Sequence, residues 1–337
     1  MKISLNSKIL GHRSQLIYSL RERINEVGLF VALVILMFVL STQSENFLST
    51  RNLFAILLDA ALVGIVAWAA TLVILTGEID LSVGPAVAFW GVVLADLVTN
   101  LRLPFVVAIP LVLMGGAVCG GVAGWLRSRF DVPTFISTLG LWSAFRGLGY
   151  FLTGAMPIPI EMNSFMAGLV GRIFGIPVPS IIMFLLFFVF FFLSKQTTFG
   201  RSVFAVGGNA KAAELGGINV SFIRVMVFAV SGLVSAFLGI IIAARLSSGS
   251  PGAAQGLEFS AIAAVVIGGT LLIGGKGSMV GTLLGVLFVT VIGNGLVLIG
   301  VNSFLQDVVK GALIVVAVLL NLIVAQRSAR RPGSNRE

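Results

Sequence analysis

Arg146 stands midway along an apolar stretch, with Trp142 and Tyr150 four residues to either side and therefore on one helix face. A cation in that setting must face protein or water, because lipid cannot solvate it. Two uses follow. The guanidinium can donate to substrate hydroxyls while the aromatic rings stack on the apolar face of a sugar, or it can neutralise Asp59 inside a helix bundle. Neither is covalent chemistry, and the chain does not read as an enzyme. The other charges within apolar stretches are Asp59, Asp96, Asp307 and Lys310, the last two spaced three apart so that they can pair on one helix.

A second polar cluster, Thr76-Gly-Glu-Ile-Asp-Leu-Ser-Val-Gly84, is followed by Pro85. Asp80 and Ser82 can each cap a following helix, and Pro85 suits its first turn. Two acids and two glycines predict an interrupted backbone, which either lines a cavity or makes a plain interfacial turn. Glu78, Asp80, Ser82 and Gly84, with Trp142 and Arg146, are the candidate cavity residues.

The longest polar interruption is Phe199 to Val220, FGRSVFAVGGNAKAAELGGINV. Within it, Asn209 to Leu215 reads as two helical turns, with Asn209 capping the first amides and Gly216 or Gly217 ending them. So short a helix is marginal alone in water. Its apolar residues Ala212, Ala213, Leu215 and Ile218 suit docking on a partner protein, beside Lys211 and Glu214; the alternative is a solvated connecting loop. By contrast, Gly269 to Ser278 only imitates a phosphate loop. The pattern around Gly275-Lys276 needs glycine where Thr270 stands and Ser or Thr where Gly277 stands. The chain is expected to bind no ATP, cofactor or metal. His12 is a lone histidine in a basic tail, and the single cysteine, Cys119, excludes an intrachain disulfide.

The elements that position these residues are membrane helices. Of 337 residues 58% are hydrophobic and 10% charged, with a mean hydropathy of +1.09, whereas soluble domains carry about 25% charged residues. Apolar spans are expected at 27–42, 53–76, 80–99, 104–126, 133–153, 178–194, 222–244, 259–273, 278–300 and 305–325. With the N-terminus inside, sixteen Lys and Arg fall in inner segments, and only Arg51, Arg102, Arg172 and Arg245 fall in outer ones. That asymmetry places both termini in the cytoplasm. The net charge of +9 thus orients the chain in a bilayer and requires no nucleic acid. Residues 1–26 read as an inner tail preceding an uncleaved first helix, 27–325 as the transmembrane domain, and 326–337 as a second basic tail. The prolines of 154–177 predict an extended outer connection. Glycine-rich stretches, Gly115 to Gly124 and Gly281 to Gly295, predict close helix packing.

Four stretches together resemble the ribose-type sugar ABC transporter permeases, relatives of the branched-chain amino acid permeases. They are Thr76–Gly84, Pro133-Thr-Phe-Ile-Ser-Thr-Leu-Gly140, Phe199–Ala213, and Ile267-Gly-Gly-Thr270 continuing to Gly274-Gly-Lys-Gly-Ser278. The resemblance spans about residues 28–325, with one departure, Glu78, where many relatives carry glycine. It implies a bacterial inner-membrane permease that dimerises on cytoplasmic ATPase subunits and receives a monosaccharide from a periplasmic binding protein. It implies that Asn209 to Ile218, within a coupling segment 199–220, docks on the ATPase. The expectation is an all-α, ten-helix importer subunit working by alternating access. The rival is an ion-coupled secondary transporter using Asp59, Asp96 or Asp307; a channel is a third class.

Overall fold

The computed structural model describes residues 25–329. Its main helices are α1 (Asn25–Gln43), α2 (Thr50–Leu75), α3 (Val83–Ala95, continued by a π turn Asp96–Asn100), α4 (Phe105–Phe130) and α5 (Thr134–Thr153). There follow α6 (Ser164–Val170), α7 (Val178–Gln196), α8 (Thr198–Gly208), α9 (Ala210–Leu215) and α10 (Val220–Leu246). The last are α11 (Leu257–Ile267), α12 (Met279–Leu298) and α13 (Ser303–Ala329). Apart from 25–26 and 326–329, the expected tails lie outside the described residues, and with them His12 and the side assigned to each terminus.

Seven of these helices, α1, α2, α3 with its π turn, α4, α7, α10 and α12, are long and apolar enough to cross a membrane. The other three expected spans also fall on helices, α5, α11 and α13. The stretch expected at 259–273 differs most. Its helix α11 has 11 residues and rises about 16 Å, half of a hydrocarbon core. It stops at Ile267 because the next residues pack as backbone: a methyl group on Gly268 would overlap Gly281 O on α12.

The core is built around α2 and α10. Nearly every residue of α2 from Ala60 to Leu75 is buried, the signature of a helix surrounded on all sides. Helix α10 lies along α4, and the predicted small-residue packing accounts for the approach. Gly116, Gly120 and Gly124 repeat every four residues on one face of α4, against Gly232, Phe228 O and Arg224 O of α10. A side chain at any of the three would strike main chain. A methyl at Gly121, one residue out of phase, would meet only side chains at ordinary distances, Ala229 Cβ at 3.6 Å and Val225 Cγ1 at 3.8 Å.

The outer connection departs from expectation. It is not extended throughout: Asn163 accepts from Met166 N at 2.8 Å and starts α6, whose Met166 is fully buried. Two short antiparallel ladders flank it. β1 (Ile158–Pro159) pairs with β4 (Ser248–Gly249), and β2 (Arg172–Ile173) with β3 (Ile176–Pro177).

Candidate functional site

Three side-chain caps divide the polar segment between α7 and α10. Thr197 accepts from Gly200 N at 3.1 Å, Asn209 from Ala212 N at 3.0 Å, and Asn219 from Phe222 N at 2.9 Å. Asn209 therefore starts α9 as its sequence predicts, and Gly216 with Gly217 (φ +85°) ends it. The single docking face expected for this helix is in fact split. Ala213 is 7% exposed and packs with Ile218 on the chain's own core. Leu215 is 85% exposed, and Lys211, Ala212, Glu214 and Gly216 are exposed with it. The free surface of α9 is thus a leucine with polar neighbours, anchored from beneath by Ala213.

The anchor continues into the other glycine-bearing stretches. Gly275 N donates to Leu75 O at 2.9 Å where α2 ends. Gly207 of α8 packs on the same carbonyl, and a methyl group there would overlap it. Gly77 (φ +79°) and Gly274 (φ +85°) stack on each other's backbone. Main chain from three separate stretches thus meets with no side chain between.

The Thr76–Gly84 segment leaves the helix as expected and runs through the protein interior, with Thr76, Glu78, Asp80 and Ser82 all buried. Thr134 and Thr138, one turn apart on α5, hold it. Thr134 Oγ1 donates to Glu78 Oε2 at 2.9 Å and accepts from Ile79 N at 3.3 Å, while Thr138 Oγ1 accepts from Leu81 N at 3.2 Å. Glu78 Oε1 lies 3.0 Å from both Arg127 Nε on α4 and Arg224 Nε on α10. A cavity of about 210 Å³ adjoins this cluster. Neither Asp80 nor Ser82 caps the amides of α3 through its side chain. Asp80 Oδ1 accepts from Ser82 N and Oγ at 2.9 and 2.6 Å, and Oδ2 accepts from Ser231 of α10 at 2.7 Å. The carboxylate's donors lie along this loop and on α10, so it ties the break to the core instead of starting the helix.

The second half of the candidate set lies elsewhere. Trp142, Arg146 and Tyr150 line one side of a cavity of about 660 Å³, faced by Gln255, Glu258 and Ser260 of α11 and its approach and by Asp307 and Lys310 of α13. Arg146 does not reach Asp59. It donates to Pro251 O at 2.8 Å and sits 5.9 Å over the Trp142 ring. Asp307 and Lys310 pair at 3.3 Å, as their spacing predicts.

Residues 52–318 match the family described as branched-chain amino acid transport system / permease component. The chain belongs to that permease family. It is 56% identical to the probable ABC transporter permease YphD of Escherichia coli K12 over 92% of this chain and 93% of the relative. It is 41% identical to the ribose import permease of Haemophilus influenzae, covering 86% and 91%, and 42% identical to that of Bacillus subtilis, covering 88% and 92%. No solved structure matches the chain. The resemblance seen in the four motifs therefore holds: this is a multi-pass permease whose relatives include sugar ABC permeases.

In this permease the motifs gather in one place, since 75–84, 134–138, 207–208 and 274–275 touch one another. The candidate pathway residues do not. Trp142 and Arg146 line the larger cavity, Glu78 the smaller, and Asp80 with Ser82 sits in a saturated network. Gly84 joins the halves, because its Cα abuts the carboxylate of Glu258. The sequence reading passed over Glu258, which is buried, lines the larger cavity and accepts from Trp142 Nε1 at 3.0 Å. A lone acid at the mouth of an apolar run, two residues after Gly256, was the available signal.

Proposed function

We propose that the chain is the membrane-spanning subunit of an ATP-driven importer that carries a neutral monosaccharide by alternating access across a bacterial inner membrane. In this reading a periplasmic binding protein delivers the sugar, a second permease copy or paralogue completes the pathway, and cytoplasmic ATPase subunits hydrolyse ATP. The permease itself binds no nucleotide or cofactor. Helices α5 and α13, with α11 and the non-helical stretch 268–273 together making one further crossing, complete a ten-crossing topology with both ends cytoplasmic, consistent with the distribution of Lys and Arg.

The observation that carries this reading is α9. A two-turn helix is capped at both ends, anchored by Ala213, and projects Leu215 outward at 85% exposure. A leucine exposed on a short, capped helix that the chain's own core anchors suits docking in a groove of another protein. Asn209, Lys211, Ala212, Glu214, Leu215, Gly216 and Ile218 form the coupling element. The ribose import permeases among the relatives support the substrate class. So does the larger cavity, where an aromatic ring, an arginine and a carboxylate combine stacking with hydroxyl recognition. The ion-coupled alternative is weakened by local pairing of two of its carboxylates. Asp96 accepts from Asn100 at 2.7 Å and Asp307 from Lys310.

Uptake of labelled D-ribose by sealed vesicles carrying the permease, its ATPase and its binding protein tests the reading. Uptake should require ATP and survive collapse of proton and sodium gradients. Uptake that follows an imposed ion gradient without ATP would replace it with the secondary-transporter reading.

A further inference from the structure

Glu258 is 2% exposed, yet its carboxylate is only half satisfied. Oε1 accepts from the Trp142 indole at 3.0 Å, while Oε2 has no hydrogen-bond donor and rests against Gly84. A buried carboxylate oxygen without a donor is costly and calls for an explanation. The neighbourhood sharpens the question. Any side chain at position 84 would overlap Oε2, so the glycine makes room for this acid. The three other charged groups of the cavity already have partners: Arg146 donates to Pro251 O, and Asp307 pairs with Lys310. Among these groups, Glu258 is left with spare capacity to accept.

Building on the monosaccharide reading above, we propose that Glu258 is the hydroxyl-accepting residue of a transient monosaccharide site in the larger cavity, covered by Trp142 until a sugar arrives. As the Trp142 ring turns aside to stack on the ring C–H face, sugar hydroxyls donate to both carboxylate oxygens, replacing the indole N–H on Oε1 and supplying the donor that Oε2 lacks. The cavity, about 660 Å³, falls in the range of ligand sites and exceeds the needs of one hexose. Its lining carries two acids, Glu258 and Asp307, against two bases, Arg146 and Lys310, a balance suited to an uncharged ligand. Carboxylates are acceptors only and so match the hydroxyl donors that every monosaccharide presents. Gly84, in a stretch that carries the family resemblance, then acts on the substrate through the space it leaves for Glu258.

Saturation-transfer NMR of the purified permease in lipid nanodiscs, with D-ribose and L-leucine as separate probes, tests the proposal. The wild type should transfer saturation to ribose and not to leucine. Glu258→Gln should cut the ribose signal by about tenfold, the scale of one charge-assisted hydrogen bond, and Glu258→Asp should restore part of it. Trp142→Phe keeps a stacking ring but removes the competing N–H, so ribose binding should hold or strengthen; a merely structural Trp142–Glu258 contact would lower it instead. Gly84→Ala should reduce the yield of folded protein by crowding Glu258. Gly84→Ala/Glu258→Ala should recover the yield without recovering ribose binding. Wild-type ribose transfer in Glu258→Gln overturns the role of Glu258. Absence of ribose transfer from the wild type overturns the site, while the importer reading stands if ATP-driven ribose uptake persists in vesicles. Transfer to leucine in place of ribose overturns both.

Discussion

The end of the bundle where the motifs meet and the cavity between α5, α11 and α13 solve opposite problems. At the motif end main chain touches main chain, as when Gly275 N bonds Leu75 O, and the acids have partners: Glu78 has two arginines and a threonine, and Asp80 two serines. In the cavity polar side chains line open space, and one carboxylate oxygen has no donor. A glycine-packed junction whose buried acids are all paired is stiff and has few alternative arrangements, so it suits the transmission we propose from α9 into the helices. A half-satisfied polar cavity suits a guest. The stretches that reveal the family are those of the junction, whereas the sugar site we propose lies in the cavity.

Substitutions that break this comparison differ widely in expected effect. Gly207→Val should be the most severe, since its Cβ would overlap Leu75 O and the neighbouring backbone cannot step aside. The cost should exceed the about 1–3 kcal/mol typical of core overpacking, and a fluorescent fusion should show little monodisperse permease. Leu215→Arg comes next. At 85% exposure it should leave stability within about 0.5 kcal/mol of wild type, while copurification with the ATPase and sugar uptake are lost. Ala213→Arg does not isolate coupling, because Ala213 is buried and its replacement damages the fold as well. Asp80→Ala should cost about 1–3 kcal/mol, by leaving Ser231 and the Ser82 amide without an acceptor. A lowered melting temperature with reduced uptake per folded molecule would mark it as part of the junction. Lys310→Ala should be smallest: its pair with Asp307 is exposed and worth about 0.2–1 kcal/mol, so ribose uptake should change less than about twofold.

What the sequence made legible follows the range of the interactions. Asn209 with Gly216 announces α9 because capping is decided within a few residues. Trp142, Arg146 and Tyr150 share a face because the helix period requires it. The four-residue glycine spacing of α4 likewise foretold close packing. Glu258 was illegible as a site residue because its donor is 116 residues away. The early end of α11 was hidden because Gly268 meets α12 through backbone. The split face of α9 escaped for a related reason: helical spacing groups Ala213 with Leu215 only loosely, and which of them faces inward depends on where α8 and α10 place the segment. Glu78 looked like a departure within a glycine-bearing loop. Its ion pairs with Arg127 and Arg224, from α4 and α10, appear only when those helices come together.

The division of roles is tested most directly by competitive uptake of D-ribose and L-arabinose in cells expressing the complete transporter, comparing Glu258→Gln with the mild coupling variant Leu215→Ala. Leu215→Ala should slow both sugars by the same factor, because it touches only the surface we propose to meet the ATPase. Glu258→Gln should change the ratio of the two rates, because the sugars present their hydroxyls differently to one acceptor. A ratio shifted by Leu215→Ala, or left untouched by Glu258→Gln, would contradict the assignment of selection to the cavity and of coupling to the motif end.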